Sequence, residues 1–300
     1  MYYKHSGRFS FGGLLIAVAT GLAASLILAY AYGRGIISIN EVHFAFFATA
    51  AFGALIGVAT GYGLIWGKVR NDQVGMATTG AISAVALYLS WAVWVAFTLQ
   101  NSNIEADWTA VAQRPGKLWH VICLINQHGT WGLSSGSTTN GWELWVVWLL
   151  EAACVIGIAV FTGLGVLNHR PFCESCEVWA KRGAKMMLAA PQNLSQLKMQ
   201  LEANDFRSLE SLGPGNKSTT HLIAVLDSCE RCRQFHTMSL TLVAIGRTKL
   251  GKPTVNNKMI MQQLLLGPGH AETLRQISMK VVEAAKLQPP KVNATAAGKR

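Results

Sequence analysis

A membrane α-helical bundle of four transmembrane helices, followed by a small α+β soluble domain, is the fold class this sequence predicts. Three observations predict it. The 300 residues are 51% hydrophobic and only 14% charged, where a soluble globular chain carries about a quarter charged residues. Four apolar runs reach the roughly 20 residues that cross a bilayer. The charge is also lopsided: residues 168–300 hold 19 Lys+Arg against 9 Asp+Glu, and residues 1–167 hold 7 against 6. Residues 1–167 therefore read as a membrane domain, 168–287 as a basic water-soluble domain, and 288–300, "QPPKVNATAAGKR", as a disordered tail.

The spans are placed at about 11–32, 44–67, 76–99 and 144–167. The first is too long for the roughly 7–15 residue core of a cleavable signal peptide, and no small-x-small site follows it before Arg34. Four crossings put both termini on one side. Lys4, Arg8, Lys68, Arg70, Arg170, Lys181, Arg182 and Lys185 flank that side, against Arg34, Arg114 and Lys117 on the other. The positive-inside rule makes it the cytoplasmic side of the inner membrane.

Small residues recur every four positions in span one (Gly13, Ala17, Gly21, Ser25, Ala29) and in span two (Ala45, Thr49, Gly53, Gly57, Gly61). Such strips let backbones approach closely, so spans one and two are expected to form a tight hairpin through them. Trp91 and Trp94 in span three, and Trp142, Trp145 and Trp148 at the start of span four, read as headgroup-level anchors. The outer loop, 100–141, contains "RPGKLWHVICLINQHG", which predicts an interfacial helix: Pro115 suits its first turn, Gly129 its exit, and Leu118, Val121, Ile122 and Ile125 form its stripe. His120 and His128 read as solvated or interfacial. Glu151 is the one clear ionisable group inside a span. It is either a proton or ion carrier, which would make the chain a small transporter, or a structural carboxyl hydrogen-bonded to Ser or Tyr of another span.

"PFCESCEVW" follows span four, and "HLIAVLDSCERCRQFHTMSLTLVAIG" repeats its Cys-x-x-Cys spacing. Alternation rich in Val, Ile, Leu and Thr predicts strands at His221–Asp227 and about Phe235–Ile245, joined across the second cysteine turn. A strand–CxxC–strand turn points both sulfurs to one side. Cys173, Cys176, Cys229 and Cys232 together supply four soft ligands with no open position, the pattern of a structural zinc site. A cytosolic setting, which keeps thiols reduced, favours the metal over a bridge. The 52 residues between Cys176 and Cys229 exceed ordinary ribbon spacing, but "NLSQLKMQLEANDFRSLESLG" reads as a helical insertion ended by Gly213-Pro214-Gly215. The fold class is thus completed as a zinc-ribbon-like α+β domain.

A third strand is expected near Lys258–Leu265, then a closing helix with Leu274, Ile277, Val281 and Val282 inward. Haem attachment is excluded in its usual form, since Glu177 and Arg233 stand where a histidine is required. Thiol–disulfide chemistry remains the rival: four spans plus CxxC would also suit a membrane thiol-disulfide oxidoreductase. His221, His236 and His270 are alternative ligands for which four cysteines leave no place.

The stretches "RPGKLWHVICLINQHGTWGL", "GWELWVVWLLEA", "PFCESCEVW" and "CERCRQFHTMSL" resemble bacterial multi-span membrane proteins of unassigned activity that end in a cytosolic zinc-ribbon-like domain. The resemblance spans roughly Pro115 to Leu240 and implies a layout without a reaction. The expected function is an integral inner-membrane protein whose zinc domain is an interaction or regulatory module, with no catalytic residue assigned. Expected partners are the lipid bilayer, a protein on the cytosolic side and a second copy of the chain. Nucleic acid is not expected, because aromatics are sparse around the cysteines and no basic run is dense.

Overall fold

The computed structural model describes residues 1–39, 42–129, 139–247 and 252–287. The chain forms two compact units, His5–His169 and Met1–Lys4 with Arg170–Arg300. The expected tail, 288–300, lies outside the described residues, as does 130–138 of the outer loop.

The first unit is helical: α1 (Phe11–Gly35), α2 (Val42–Trp66), α3 (Asp72–Asn101), α4 (Trp108–Ala112), α5 (Pro115–His128) and α6 (Gly141–Asn168). Of these, α1, α2, α3 and α6 are long and apolar enough to cross a membrane. Their starts are chemically marked. The Ser10 side chain accepts from the Gly13 amide ahead of α1, and Asn71 accepts from Val74 ahead of α3. Asn71 also donates to the Gly7 carbonyl, fastening the α2–α3 connection to the segment before α1.

The strip on α1 is buried along its full length, from Gly13 to Ala29 and on to Gly33. Its partners differ from those expected. At the start of α1 it meets α2, where Gly13 lies against Gly67 and Gly63 against Ala17; further along it meets α3, with a Cβ at Gly33 falling 2.7 Å from the Ser90 carbonyl. Of the strip expected on α2, Thr49 reaches Tyr32 of α1, but the glycines do not face α1. Gly53, Gly57 and Gly61 pack on Val155, Ala159 and Gly163 of α6. A helix advances about 100° per residue, so Thr60, Gly63 and Gly67 lie roughly a quarter turn from the predicted strip. That second set is the one that meets α1. The tight α1–α2 hairpin therefore exists on a different face of α2, and α2 has two small-residue faces rather than one.

The helix α5 begins with Pro115 in its first turn and ends at Gly129, whose φ of 81° suits glycine. Leu118 packs with Ala92 and Val95 of α3. The short α4, absent from the sequence reading, starts at an Asp107 cap and is tied to α3 where the Tyr88 hydroxyl donates to the Ala112 carbonyl. Four of the five expected tryptophan anchors contact one another: Trp94 meets Trp91, Trp91 meets Trp148, and Trp148 meets Trp145, which meets Trp119 of α5, with centroids 4.9–5.4 Å apart. Trp142 alone of that set is exposed.

The second unit contains β1 (Phe172–Cys173), β2 (Val178–Trp179), β3 (Lys181–Ala189), α7 (Leu194–Glu202), α8 (Arg207–Glu210), β4 (His221–Ser228), β5 (His236–Arg247), β6 (Pro253–Leu266) and α9 (Pro268–Leu287). An antiparallel sheet runs in the order β3-β4-β5-β6, and β1 and β2 form their own antiparallel pair. One face of the larger sheet is closed by the helices. Leu188, Leu222, Leu226, Met238, Leu240 and Leu264 meet Leu197 and Leu201 of α7 and Leu274 and Ile277 of α9 in one buried cluster. Val281 joins it, but Val282 is exposed, correcting the expected inward set. Position 282 turns about 100° beyond Val281 and leaves the buried face.

The first residues of the chain belong to this unit. The Tyr3 amide donates to the Gln263 carbonyl and the Leu265 amide to the Met1 carbonyl, so Met1–Tyr3 lie as a short extra strand against β6. An edge otherwise open to pairing is covered there.

Candidate metal centre

Each cysteine pair sits in the turn of an antiparallel hairpin. Cys229 and Cys232 lie between β4 and β5, paired from Ser228 opposite His236. Cys173 ends β1 and Cys176 lies in the turn to β2, with Phe172 opposite Trp179 and Cys173 opposite Val178. The sequence places span four directly before the first pair; the structure adds the two-residue strands β1 and β2 around it. Both turns use the same backbone device. The residue after the second cysteine is left-handed in each, Glu177 at φ 52° and Arg233 at φ 54°. In the second turn the amides that follow this reversal, those of Gln234 and Phe235, point at the Cys232 sulfur.

All four Sγ atoms lie within 4.8 Å of one another, and those of Cys173 and Cys232 are 3.7 Å apart. Zinc–sulfur bonds of about 2.3 Å in a tetrahedron give sulfur–sulfur edges of about 3.8 Å. The residues present fit a four-thiolate metal site. Cys173 and Cys229 are buried, and Cys176 and Cys232 are partly exposed.

The electrostatics divide the sulfurs. Amides of Gln234 and then Phe235 hydrogen-bond Cys232 and bring its thiol down to about 6. Burial pushes Cys173 up, and desolvation raises Cys176 as well. Thiolates this close repel one another. A divalent ion would supply the missing charge and keep every sulfur deprotonated.

The surroundings brace the two turns. The Phe172 amide donates to the Tyr3 hydroxyl at 3.0 Å, and the Tyr3 ring meets Phe235 edge-on at 5.6 Å. The N-terminal strand thus touches both hairpins. Arg231 donates to the Cys176 carbonyl, spanning from the second turn to the first. Replacing Tyr3 by Phe removes the acceptor for Phe172, with an expected loss of about 1 kcal/mol in unfolding free energy and no loss of bound metal, measurable by denaturant titration.

The histidines are engaged elsewhere. His236 is buried and uses both ring nitrogens, on the Ser228 hydroxyl and the Arg233 carbonyl. His221 bonds the Thr219 carbonyl, and His270 packs on Phe206. Of the outer pair, His120 is exposed and His128 bonds Leu124 of its own helix.

Glu151 lies in the first unit and accepts from the Tyr32 hydroxyl at 2.7 Å, while Thr49 lies 2.8 Å from the same oxygen. Tyr32 also stacks on Phe52. Glu151 therefore links α6 to α1 and α2. A glutamine oxygen accepts the same bond, so Glu151→Gln is expected to shift thermal stability in detergent by less than about 1 kcal/mol, whereas Glu151→Leu strands the hydroxyl and costs more.

No protein-family model, no curated protein and no solved structure matches this chain.

Proposed function

We propose that the chain is an integral inner-membrane protein, with four transmembrane helices and both termini in the cytoplasm, whose C-terminal unit is a zinc-ribbon-like domain serving as an interaction or regulatory module. The observation that carries this reading is the convergence of Cys173, Cys176, Cys229 and Cys232, from hairpins far apart in sequence, into one sulfur cluster. Four thiolates with no open coordination position make a structural zinc site, which contributes folding free energy and supplies no reactive water. Met1–Tyr3 pair with β6 of the C-terminal unit. Four crossings return the chain to the side on which it began, so this pairing supports the topology.

A thiol–disulfide oxidoreductase presents one dithiol with an accessible attacking sulfur, usually at the start of a helix. In this chain each pair is followed by a strand, and each pair closes on the other. The measurement that separates the two activities is thiol reactivity in the purified protein. Cys173, Cys176, Cys229 and Cys232 are expected to resist alkylation until a chelator is added, and then to react together. Two cysteines that cycle readily between thiol and disulfide, with no response to chelator, would contradict the structural role.

A further inference from the structure

Beside the sulfur cluster, and within the same unit, is a cleft of about 450 Å³, a volume suited to a small molecule. Its charged wall residues come from three places: Lys181 and Arg182 from β3, Glu230 and Arg233 from the second cysteine turn, and Arg275 from α9. Four cations thus face one carboxylate. Arg182 pairs with the buried Asp227 and Arg275 with Glu272 outside the wall, and Arg233 has no carboxylate partner among the described residues. Among these Lys, Arg, Asp and Glu side chains one positive charge, that of Arg233, remains in excess.

The backbone opens this cleft. Arg182 stands opposite Asp227 and Lys185 opposite Val225, so Gly183 and Ala184 together face the single residue Leu226. That is a β-bulge, and a bulge re-aims the neighbouring side chains and leaves a residue out of the ladder. Successive strand residues normally point to opposite faces, yet Lys181 and Arg182 both line the cleft. Gly183 suits the spot, since a Cβ there would sit 3.0 Å from the Leu226 carbonyl. On the far wall, Arg275 donates to the Ser228 hydroxyl, whose oxygen is also engaged by His236.

The carboxylate in the wall does not block a ligand. Lys181 and Glu230 form a pair 3.0 Å long with both side chains about 70% exposed, and such pairs contribute little. An incoming oxyanion takes the place of Glu230 at small cost. Guanidinium forks match the oxygens of a phosphate group. Among the described residues no aromatic side chain lines the cleft, so they offer no stacking platform of the kind found in a nucleic-acid groove.

We propose that this cleft binds a phosphate group, carried either by a free phosphorylated small molecule or by a phospholipid headgroup. Cys229 is part of its wall, so the ligand sits against a cysteine turn. A regulatory role for that ligand rests on the module proposed above; the binding itself does not depend on the metal being zinc.

The test uses the full chain in zwitterionic detergent, titrated calorimetrically with inorganic phosphate and with glycerol 3-phosphate. Saturable binding is expected for at least one. It should weaken roughly tenfold or more in Arg233→Gln/Arg275→Gln and remain unchanged in Lys198→Gln, a control on α7. Should the first double variant lose its fold, Lys181→Gln/Arg182→Gln on β3 gives the same reading. Melting temperature and metal content are followed in every variant, so a failed metal centre is seen separately from a failed cleft. Reconstitution then distinguishes the sources. Phosphate binding that survives in phosphatidylcholine discs but is lost when phosphatidylglycerol is added assigns the cleft to lipid; binding that persists in both assigns it to a free ligand. No saturable binding of either probe, or equal binding in the double variants, overturns the proposal.

Discussion

Replacing Cys229 by serine is expected to release the β1–β2 hairpin and to lower the unfolding free energy of the C-terminal unit by roughly 5 kcal/mol or more. Structural zinc contributes about 10–16 kcal/mol in isolated zinc-finger peptides, and a whole domain is stable by about 5–15 kcal/mol. Three sulfurs retain only part of that contribution. The loss is not spread evenly. Strands β1 and β2 are two residues each, too short to persist once the sulfur cluster is broken, whereas the larger sheet keeps the cluster built from Leu188, Leu222, Leu240 and Leu274. Limited proteolysis should show cleavage near Glu174–Glu177 before any in β4–β6. Cys123→Ser and Cys154→Ser, remote in sequence and outside the sulfur cluster, should leave the unit unchanged. A Cys229→Ser protein as resistant as the parent would show that the cluster holds nothing.

The second large effect belongs to the helical unit. A Cβ at Gly57 collides with the Ala159 carbonyl and the Thr162 hydroxyl of α6. The obstacle includes backbone, which cannot rotate away. Gly57→Ala is expected to cost about 1–3 kcal/mol through overpacking, and Gly57→Leu to separate α2 from α6. Gly157, on α6 itself, meets nothing within 4 Å, so Gly157→Ala should be neutral or slightly stabilising through helix propensity. Unfolding of the three variants in detergent, followed by circular dichroism, orders them. Equal stability of Gly57→Leu and Gly157→Ala would remove the close α2–α6 contact from the account.

The elements the sequence displays most clearly are those whose signal is local. Apolar runs long enough for a bilayer announce α1, α2, α3 and α6, and Pro115 with Gly129 mark both ends of α5. The four cysteines are legible from their spacing, the strands around the second pair and the expected cytosolic setting, because two hairpin turns of the same kind present sulfurs in the same way. Partner choice was less legible. The strip of Gly53, Gly57 and Gly61 shows that something packs closely there, but not which helix, and Gly63 and Gly67 compete for α1 from the neighbouring face.

Several elements were hidden for physical reasons. The strand β3, "KRGAKMMLA", begins with lysine, arginine, glycine and alanine, which do not favour strands by themselves; it is a strand because β4 pairs with it. The strands β1 and β2 are too short for any periodicity. Tyr2 and Tyr3 carry strand propensity, yet three residues ahead of a long apolar helix give no pattern, and only the edge of β6 recruits them. The basic cleft is likewise absent from linear order, since its cations come from β3, the second cysteine turn and α9.

In the proposed function, Cys173, Cys176, Cys229 and Cys232 grip one structural zinc ion. Elemental analysis of the full chain, purified without added metal or chelator, tests it most directly. One zinc per chain, lost in Cys229→Ser and retained in Cys154→Ser, is the expected result. Chain that carries no tightly held metal, with its C-terminal unit still resistant to protease, would contradict it.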